Sequence, residues 1–330
     1  MQIYGIDLAM EKFDVSFLDS KGKEKHLIVN NKLGAIARFL KRVPPGSLLC
    51  AEHTGVYGNL LVFLCNHLEI PISLTSGYSI KHSLGLLKGK SDKLDAKRIR
   101  EYGERFRDKL ELAEYESETL QELNELSVLR SQLVKERRML ETQQQSKKHN
   151  PYNSISAHKQ AEKVIAVFNK SISEIEEEIL KIIESVHSLK RTFELSTSVK
   201  GIGPITTCEL IIKTGNFKRI DTARKAASYA GVCPFPDSTG KMVKKDRVSH
   251  MSDKTLKTLL HLCAKSATQH NQAYKLYYEK KKQEGKPHYL ILNNISNKLL
   301  RTLYSVISSG RSYDPNYICI DPRKSEKKAA

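Results

Sequence analysis

The feature that most constrains this chain is a change in the spacing of its apolar residues. Up to about residue 110 they come in short runs bounded by turn signals, as in Ile3–Asp7, Phe13–Leu18, His26–Val29, Leu48–Glu52 and Ile72–Thr75. Runs of that length, rich in β-branched and aromatic residues, read as strands. Helical patterns at Leu33–Val43 and Leu60–Leu68 separate them, and Pro44-Pro45-Gly46 marks a turn. From about 112 to 190 the spacing lengthens. Leu120, Leu123, Leu126, Leu129, Leu133 and Leu140 form one helical stripe. Phe168, Ile172, Ile175, Ile179, Ile182, Val186 and Leu189 form a second, its steps alternating four and three as in a heptad seam.

The predicted architecture is therefore α/β followed by α. Three antiparallel strands, a helix, and then parallel-type strands alternating with helices is a ribonuclease-H-like order. We place that domain at 1–110, a coiled-coil connector or oligomerisation element at 111–192, a mainly α-helical domain at 193–312 and a basic tail at 313–330. The polar stretch Gln143–His158, with Asn150-Pro151, separates the two stripes.

Net charge is +18, from 55 basic and 37 acidic residues. An excess of that size points to a polyanionic partner, since a merely solubilising surface would mix both signs closer to neutrality. No apolar run approaches the ~20 residues of a membrane span. The N-terminus carries acids early and reads straight into a strand, unlike a secretory signal. Six scattered cysteines without a CxxC pair suit reduced, buried thiols in a cytoplasmic protein rather than zinc ligands.

Within this basic chain four acids stand out. Asp7 lies near the end of the first strand and Glu52 ends a strand expected beside it. Asp92 and Asp95, spaced i, i+3 in KSDKLDAKRI, share one helix face. Alone, either helix acid reads as a solvated residue pairing with Lys93 or Lys97. Together with two strand-end acids, the pair reads as a carboxylate cluster for divalent metal acting on phosphates. Arg98 and Arg100 on the same helix are candidate backbone contacts. Lys200, Gly201 and Gly203, in Lys-Gly-Ile-Gly-Pro, resemble the hairpin of a helix-hairpin-helix, whose glycines let N–H groups approach a phosphate. An ordinary interhelical turn explains them equally well. Ser238 and Thr239 lie on a Gly- and Pro-framed loop amid Lys241, Lys244, Lys245 and Arg247. A hydroxyl there could attack a phosphodiester, although by chemistry alone a Ser/Thr turn beside a basic patch is the simpler account. Lys275–Lys286 reads either as an exposed, charged helix end or as a contact for RNA or DNA, and we favour the contact.

These motifs resemble, in order and over nearly the whole chain, the DEDD-type transposases of bacterial insertion sequences. That group includes pilin-gene-inverting and bridge-RNA-guided recombinases. YGIDLAMEKFDV, AEHTGVYG and KSDKLDAKRI are similar to their three N-terminal motifs. SVKGIGPITTCEL, FKRIDTARKAASYAGVCPF and DRVSHMSDKTLKTLLHLCAKSA resemble their C-terminal transposase domain. The resemblance implies a RuvC-like domain, a coiled-coil connector and a small helical domain supplying a catalytic serine. It implies that Asp7, Glu52, Asp92 and Asp95 hold Mg²⁺, with Mn²⁺ as a substitute. It also implies a covalent serine–DNA intermediate, a structured guide RNA, and a homo-oligomer (dimer or tetramer) whose tetrad faces the serine loop of another subunit. The family's nucleophile precedes a glycine; here Thr239 precedes Gly240 and Ser238 stands one residue earlier, so both are candidates. Two other functions fit parts of the pattern: a metal-dependent Holliday-junction-type endonuclease that hydrolyses DNA with water, and a non-catalytic nucleic-acid-binding protein.

Overall fold

The first strand, β1 (Ile3–Leu8), is buried along almost its whole length, and it is apolar except at Gly5 and Asp7. That is the composition of a central strand covered on both faces. This computed structural model describes residues 2–83, 85, 89–147, 152, 154–236, 238, 239, 242, 243 and 247–316, with 238, 239, 242 and 243 described by their backbone. Contacts divide the chain into two compact units, Met1–Glu116 and Ser117–Ala330.

In the first unit β1 pairs antiparallel with β2 (Lys12–Leu18), which pairs in the same sense with β3 (Glu24–Asn30). The chain then forms α1 (Leu33–Leu40) and returns as β4 (Leu48–Glu52), parallel to β1 on its other side. A short 3-10 turn (Gly55–Gly58) and α2 (Asn59–His67) lead to β5 (Ile72–Thr75), parallel to β4. Helices α3 (Gly77–Ser83) and α4 (Asp92–Arg105) complete the unit. The sheet order is β3-β2-β1-β4-β5.

Because strand side chains alternate, β1 feeds two cores. Tyr4, Ile6 and Leu8 join Phe13, Ile36, Leu40, Leu49 and Leu61 beneath α1 and α2. Ile3 joins Leu48, Cys50, Ile80 and Ile99 beneath α3 and α4. Each fully buried Leu, Ile or Phe contributes roughly 1.5–3 kcal/mol. On the α4 face the contact with the sheet is unusually close. The main chain of Ala96 and Arg100 fills the space that a side chain at position 5 would need. Gly103 faces Ile3 and Cys50 in the same way, its missing Cβ position lying 2.9 Å from Ile3 Cγ2. Side chains at 5 and 103 would hold α4 off the sheet, so glycines there set its depth.

The second unit begins with two long helices, α5 (Glu118–Lys147) and α6 (Ile155–Ser185), which pack against each other. The expected seam through Val186 crosses a helix break, because α6 ends at Ser185 and α7 (His187–Ser198) starts anew. Leu189 nevertheless continues the stripe, sharing a core with Leu123, Ile179, Ile183, Cys208, Ile211 and Ile212. The last three belong to α8 (Pro204–Thr214). Glu209 of α8 is buried, and its carboxylate accepts a hydrogen bond from Ser127 of α5.

Next come α9 (Ala223–Tyr229) and two nested β-ribbons. The outer ribbon pairs β6 (Pro234–Phe235) with β9 (Arg247–Val248), and the inner pairs β7 (Ser238–Thr239) with β8 (Met242–Val243). Helices α10 (Lys254–His270), α11 (Gln272–Gln283) and α12 (His288–Ser309) finish the unit around Leu210, Leu260, Ala264, Ile295, Leu299 and Leu303. Among the described residues no helix is long and apolar enough to cross a membrane.

Candidate active site

Parallel pairing of Ile6 with Ala51 places the next residues of the two strands, Asp7 and Glu52, side by side at the same sheet end. Asp7 is odd-numbered on β1 and so leaves the face that α4 covers. Ser91, one residue before the start of α4 at Asp92, caps the helix by accepting a hydrogen bond from the Leu94 N–H at 3.3 Å. Asp92 and Asp95 therefore fall in its first turn, where the helix dipole favours negative charge. The consequence registers at Asp7. Its pKa is pushed up to about 6, first by burial and then by the charges of Asp95, Glu52, Asp92 and Asp14. Two strands and one helix thus bring their acids within electrostatic reach of a single half-buried carboxyl.

Each neighbour is held by its own contact. Asp95 Oδ1 accepts a hydrogen bond from Arg98 Nη1 at 2.7 Å, while Arg98 Nη2 donates to the Gly89 carbonyl at 2.9 Å. The Glu52 carboxylate lies over Gly77 at the start of α3. Between them opens a cleft of about 520 Å³ lined by Glu52, Gly77, Lys90, Asp95 and Arg98 among others. Among the described residues no three Asp, Glu, His or Cys side chains stand close enough together to hold an ion. Both observations follow from one arrangement: charge acts across several ångströms, ligation does not, and Arg98 draws Asp95 to itself. The donor set fits a hard divalent cation, being carboxylate oxygens alone. The upward shift of Asp7 comes first from burial and then from its acidic neighbours, and a bound cation would offset both.

The remaining candidates fall in varied places. Arg98 lines the cleft. Arg100, expected on the nucleic-acid face, is only 4% exposed. Its guanidinium turns inward, donating to Ser16 Oγ at 3.2 Å and Glu104 Oε1 at 2.6 Å. It ties α4 to the sheet, because a buried guanidinium must spend its donors on internal acceptors. Lys200 is exposed. Gly201 has φ +107°, and its missing Cβ position lies 2.7 Å from Ala267 Cβ, so it seats the α7–α8 turn on α10. Gly203 caps α8, with Pro204 next. Ser238 and Thr239 form β7, near the tip of the inner ribbon, and Arg247 lies exposed in β9. Lys241, Lys244 and Lys245 lie outside the described residues. Sequence reasoning missed Gly77 and the Asp14–His26 pair described below; neither has a local signature, since each is defined by a neighbour distant in sequence.

Residues 4–149 match the family model described as Transposase, of the DEDD IS110 type, and residues 194–279 match Transposase IS116/IS110/IS902 family. The chain is similar to the pilin gene-inverting protein of Moraxella lacunata, 26% identical over 326 residues, covering 94% of this chain and 97% of that one. The pilin gene-inverting protein of Moraxella bovis is 25% identical over the same shares. An insertion element IS110 protein of Streptomyces coelicolor is 24% identical over 154 residues, which is 46% of this chain and 38% of its own length. With two transposase matches in this order and likeness along nearly the whole chain to pilin gene-inverting proteins, the chain belongs to the DEDD-type insertion-sequence transposases, enzymes of DNA transposition and recombination.

Proposed function

We propose that this transposase cuts and rejoins DNA through a covalent protein–DNA ester at Ser238 or Thr239, with Asp7, Glu52, Asp92 and Asp95 holding Mg²⁺ in a RuvC-like domain. The observation that carries the proposal is the convergence of those acids on Asp7, whose pKa is raised to about 6. Carboxylates gathered inside a chain of net charge +18 cost free energy unless a cation joins them. The sheet order β3-β2-β1-β4-β5 supports the ribonuclease-H-like assignment.

Bound there, Mg²⁺ would polarise the scissile phosphate and stabilise charge on the leaving oxygen. The chain's own residues do the rest. The hydroxyl of Ser238, which we favour over Thr239, attacks phosphorus. The bond from phosphorus to the leaving deoxyribose oxygen breaks, and that oxygen gains a proton as the serine loses one. The resulting ester keeps the energy of the phosphodiester, so a strand hydroxyl can reverse the step and reseal DNA without an external energy source. Lys200 and Arg247, both exposed, would meet phosphates, and Lys241, Lys244, Lys245 and Lys275–Lys286 would extend the basic contribution. A structured guide RNA would supply sequence by base pairing, with the protein reading helix shape and backbone. The exposed Val128, Leu129, Met139, Val164 and Val167 on α5 and α6 support self-association through those helices. We place the protein in the bacterial cytoplasm, beside its DNA.

Purified protein incubated with Mg²⁺, the element's end DNA and the flanking RNA should yield DNA covalently attached to protein on a denaturing gel. Peptide mass should locate the link at Ser238 or Thr239, and Asp7→Asn should abolish it. Cleavage without an adduct would instead assign water as the nucleophile and a resolvase-type hydrolysis.

A further inference from the structure

Antiparallel pairing sets Asp14 of β2 directly opposite Asp7 of β1. Side chains so placed leave the same face of the sheet a few ångströms apart, and like charges there repel. The repulsion reaches Asp7, since Asp14 is among the charges that raise its pKa. Asp14 is the more enclosed of the two, at 5% exposed. A carboxylate so enclosed needs a partner, and His26 provides one, its Nε2 donating to Asp14 Oδ1 at 2.5 Å. His26 comes from β3, where it stands opposite Ser16. Asp14 therefore lies between Asp7 on the β1 side and His26 on the β3 side. Ser16, next along the same face, is held by Arg100 Nε. The polar layer beneath α4 thus continues from the carboxylate site to the sheet edge.

We propose that the Asp14–His26 pair is a positioning device for the metal site: His26 holds the Asp14 carboxylate toward β3, so that it acts on a bound cation through charge and does not join Asp7 as a ligand. The proposal rests on the reading of Asp7 as a ligand. It has consequences of opposite sign. Loss of the Asp14 charge weakens the attraction for a divalent cation. Loss of His26 leaves Asp14 unpaired beside Asp7, which destabilises the metal-free protein and frees the carboxylate to turn toward the cation.

The test is Mn²⁺ titration of the full-length protein without DNA, followed by the electron paramagnetic resonance signal of free Mn²⁺ and by melting temperature with and without the ion. Asp14→Asn should weaken Mn²⁺ binding by about tenfold. His26→Ala should lower the metal-free melting temperature yet tighten Mn²⁺ binding. His26→Gln, whose amide can donate the same hydrogen bond, should resemble the unaltered protein in both respects. If His26→Ala does not fold, the double variant Asp14→Asn/His26→Ala removes the unpaired carboxylate and should bind Mn²⁺ as Asp14→Asn does; a different affinity overturns the proposal. Complete loss of binding in Asp14→Asn, matching Asp7→Asn, would make Asp14 a ligand and also overturn it. Lower melting temperatures with unchanged Mn²⁺ affinity would reduce the pair to a fold-stabilising contact. Binding that survives Asp7→Asn removes the carboxylate site itself and this proposal with it, whereas binding lost there but untouched in Asp14→Asn and His26→Ala removes this proposal alone.

Discussion

The carboxylate of Glu52 occupies the place that any side chain at Gly77 would have to take. The glycine at the start of α3 is thus the floor on which one acid of the candidate site rests. Because the obstructing atoms are the end of a flexible side chain, Gly77→Ala should fold, with stability changed by no more than about 1 kcal/mol. Glu52 must swing away, and misplacement of about an ångström lowers rates by about a hundredfold. Urea unfolding beside a strand-cleavage assay should separate the two effects; an alanine variant with full cleavage would show that Glu52 does not act from this position.

Asp7 gives the metal-free protein a particular response to pH. Its pKa rises from 3.8 to about 6 on folding, so the native chain holds that proton more tightly than the unfolded chain does. Stability without metal should therefore decline as pH climbs from 3.8 to about 6, and stay at the lower level above. Asp7→Asn should flatten that decline and gain about 1 kcal/mol at neutral pH, after allowance for solvent screening at a half-buried group. Denaturant melts in chelator across that range decide the point, and a variant as pH-sensitive as the parent would refute it.

Arg100 should behave as part of the frame. Arg100→Ala removes a buried guanidinium from Ser16 and Glu104 and should cost about 2–4 kcal/mol of stability. The salt dependence of DNA binding should keep its slope, because no phosphate contact is lost. A reduced slope with unchanged stability would return Arg100 to the nucleic-acid face.

At Gly201 the backbone has φ +107° and α10 packs against the missing side chain. Gly201→Ala combines strained backbone with overpacking against Ala267, and should destabilise by about 2–4 kcal/mol. Calorimetric melting would measure it. An unchanged melting temperature would mean that the turn can move off α10.

The parts of this fold readable from sequence were those written as periodicity. Strands β1 to β5 and helices α1, α2 and α4 announce themselves because burying one face forces a repeat of apolar residues on that face. Helix α3 did not, since GYSIKHS is too short and too polar to show a repeat. The nested ribbons were equally silent, each strand being two residues long. Asp7, Glu52, Asp92 and Asp95 were recognisable as candidates because strand ends and helix turns predict direction. Which cation meets which anion was not, and Arg100 shows why. A basic residue on a polar helix reads the same whether it faces solvent or, as here, Ser16 across the sheet interface.

The glycines at 5 and 103 have one more implication. With α4 seated against bare backbone, the helix that carries Asp92 and Asp95 and the strand that carries Asp7 are welded into one part. Gly103 also seats α4 on Cys50 of β4, so the strand that carries Glu52 belongs to that part too, and only the Glu52 carboxylate, lying over Gly77, meets the separate short helix α3. A displacement of α3 would therefore move the Glu52 carboxylate while leaving the strands and the helix that carry all four acids where they are.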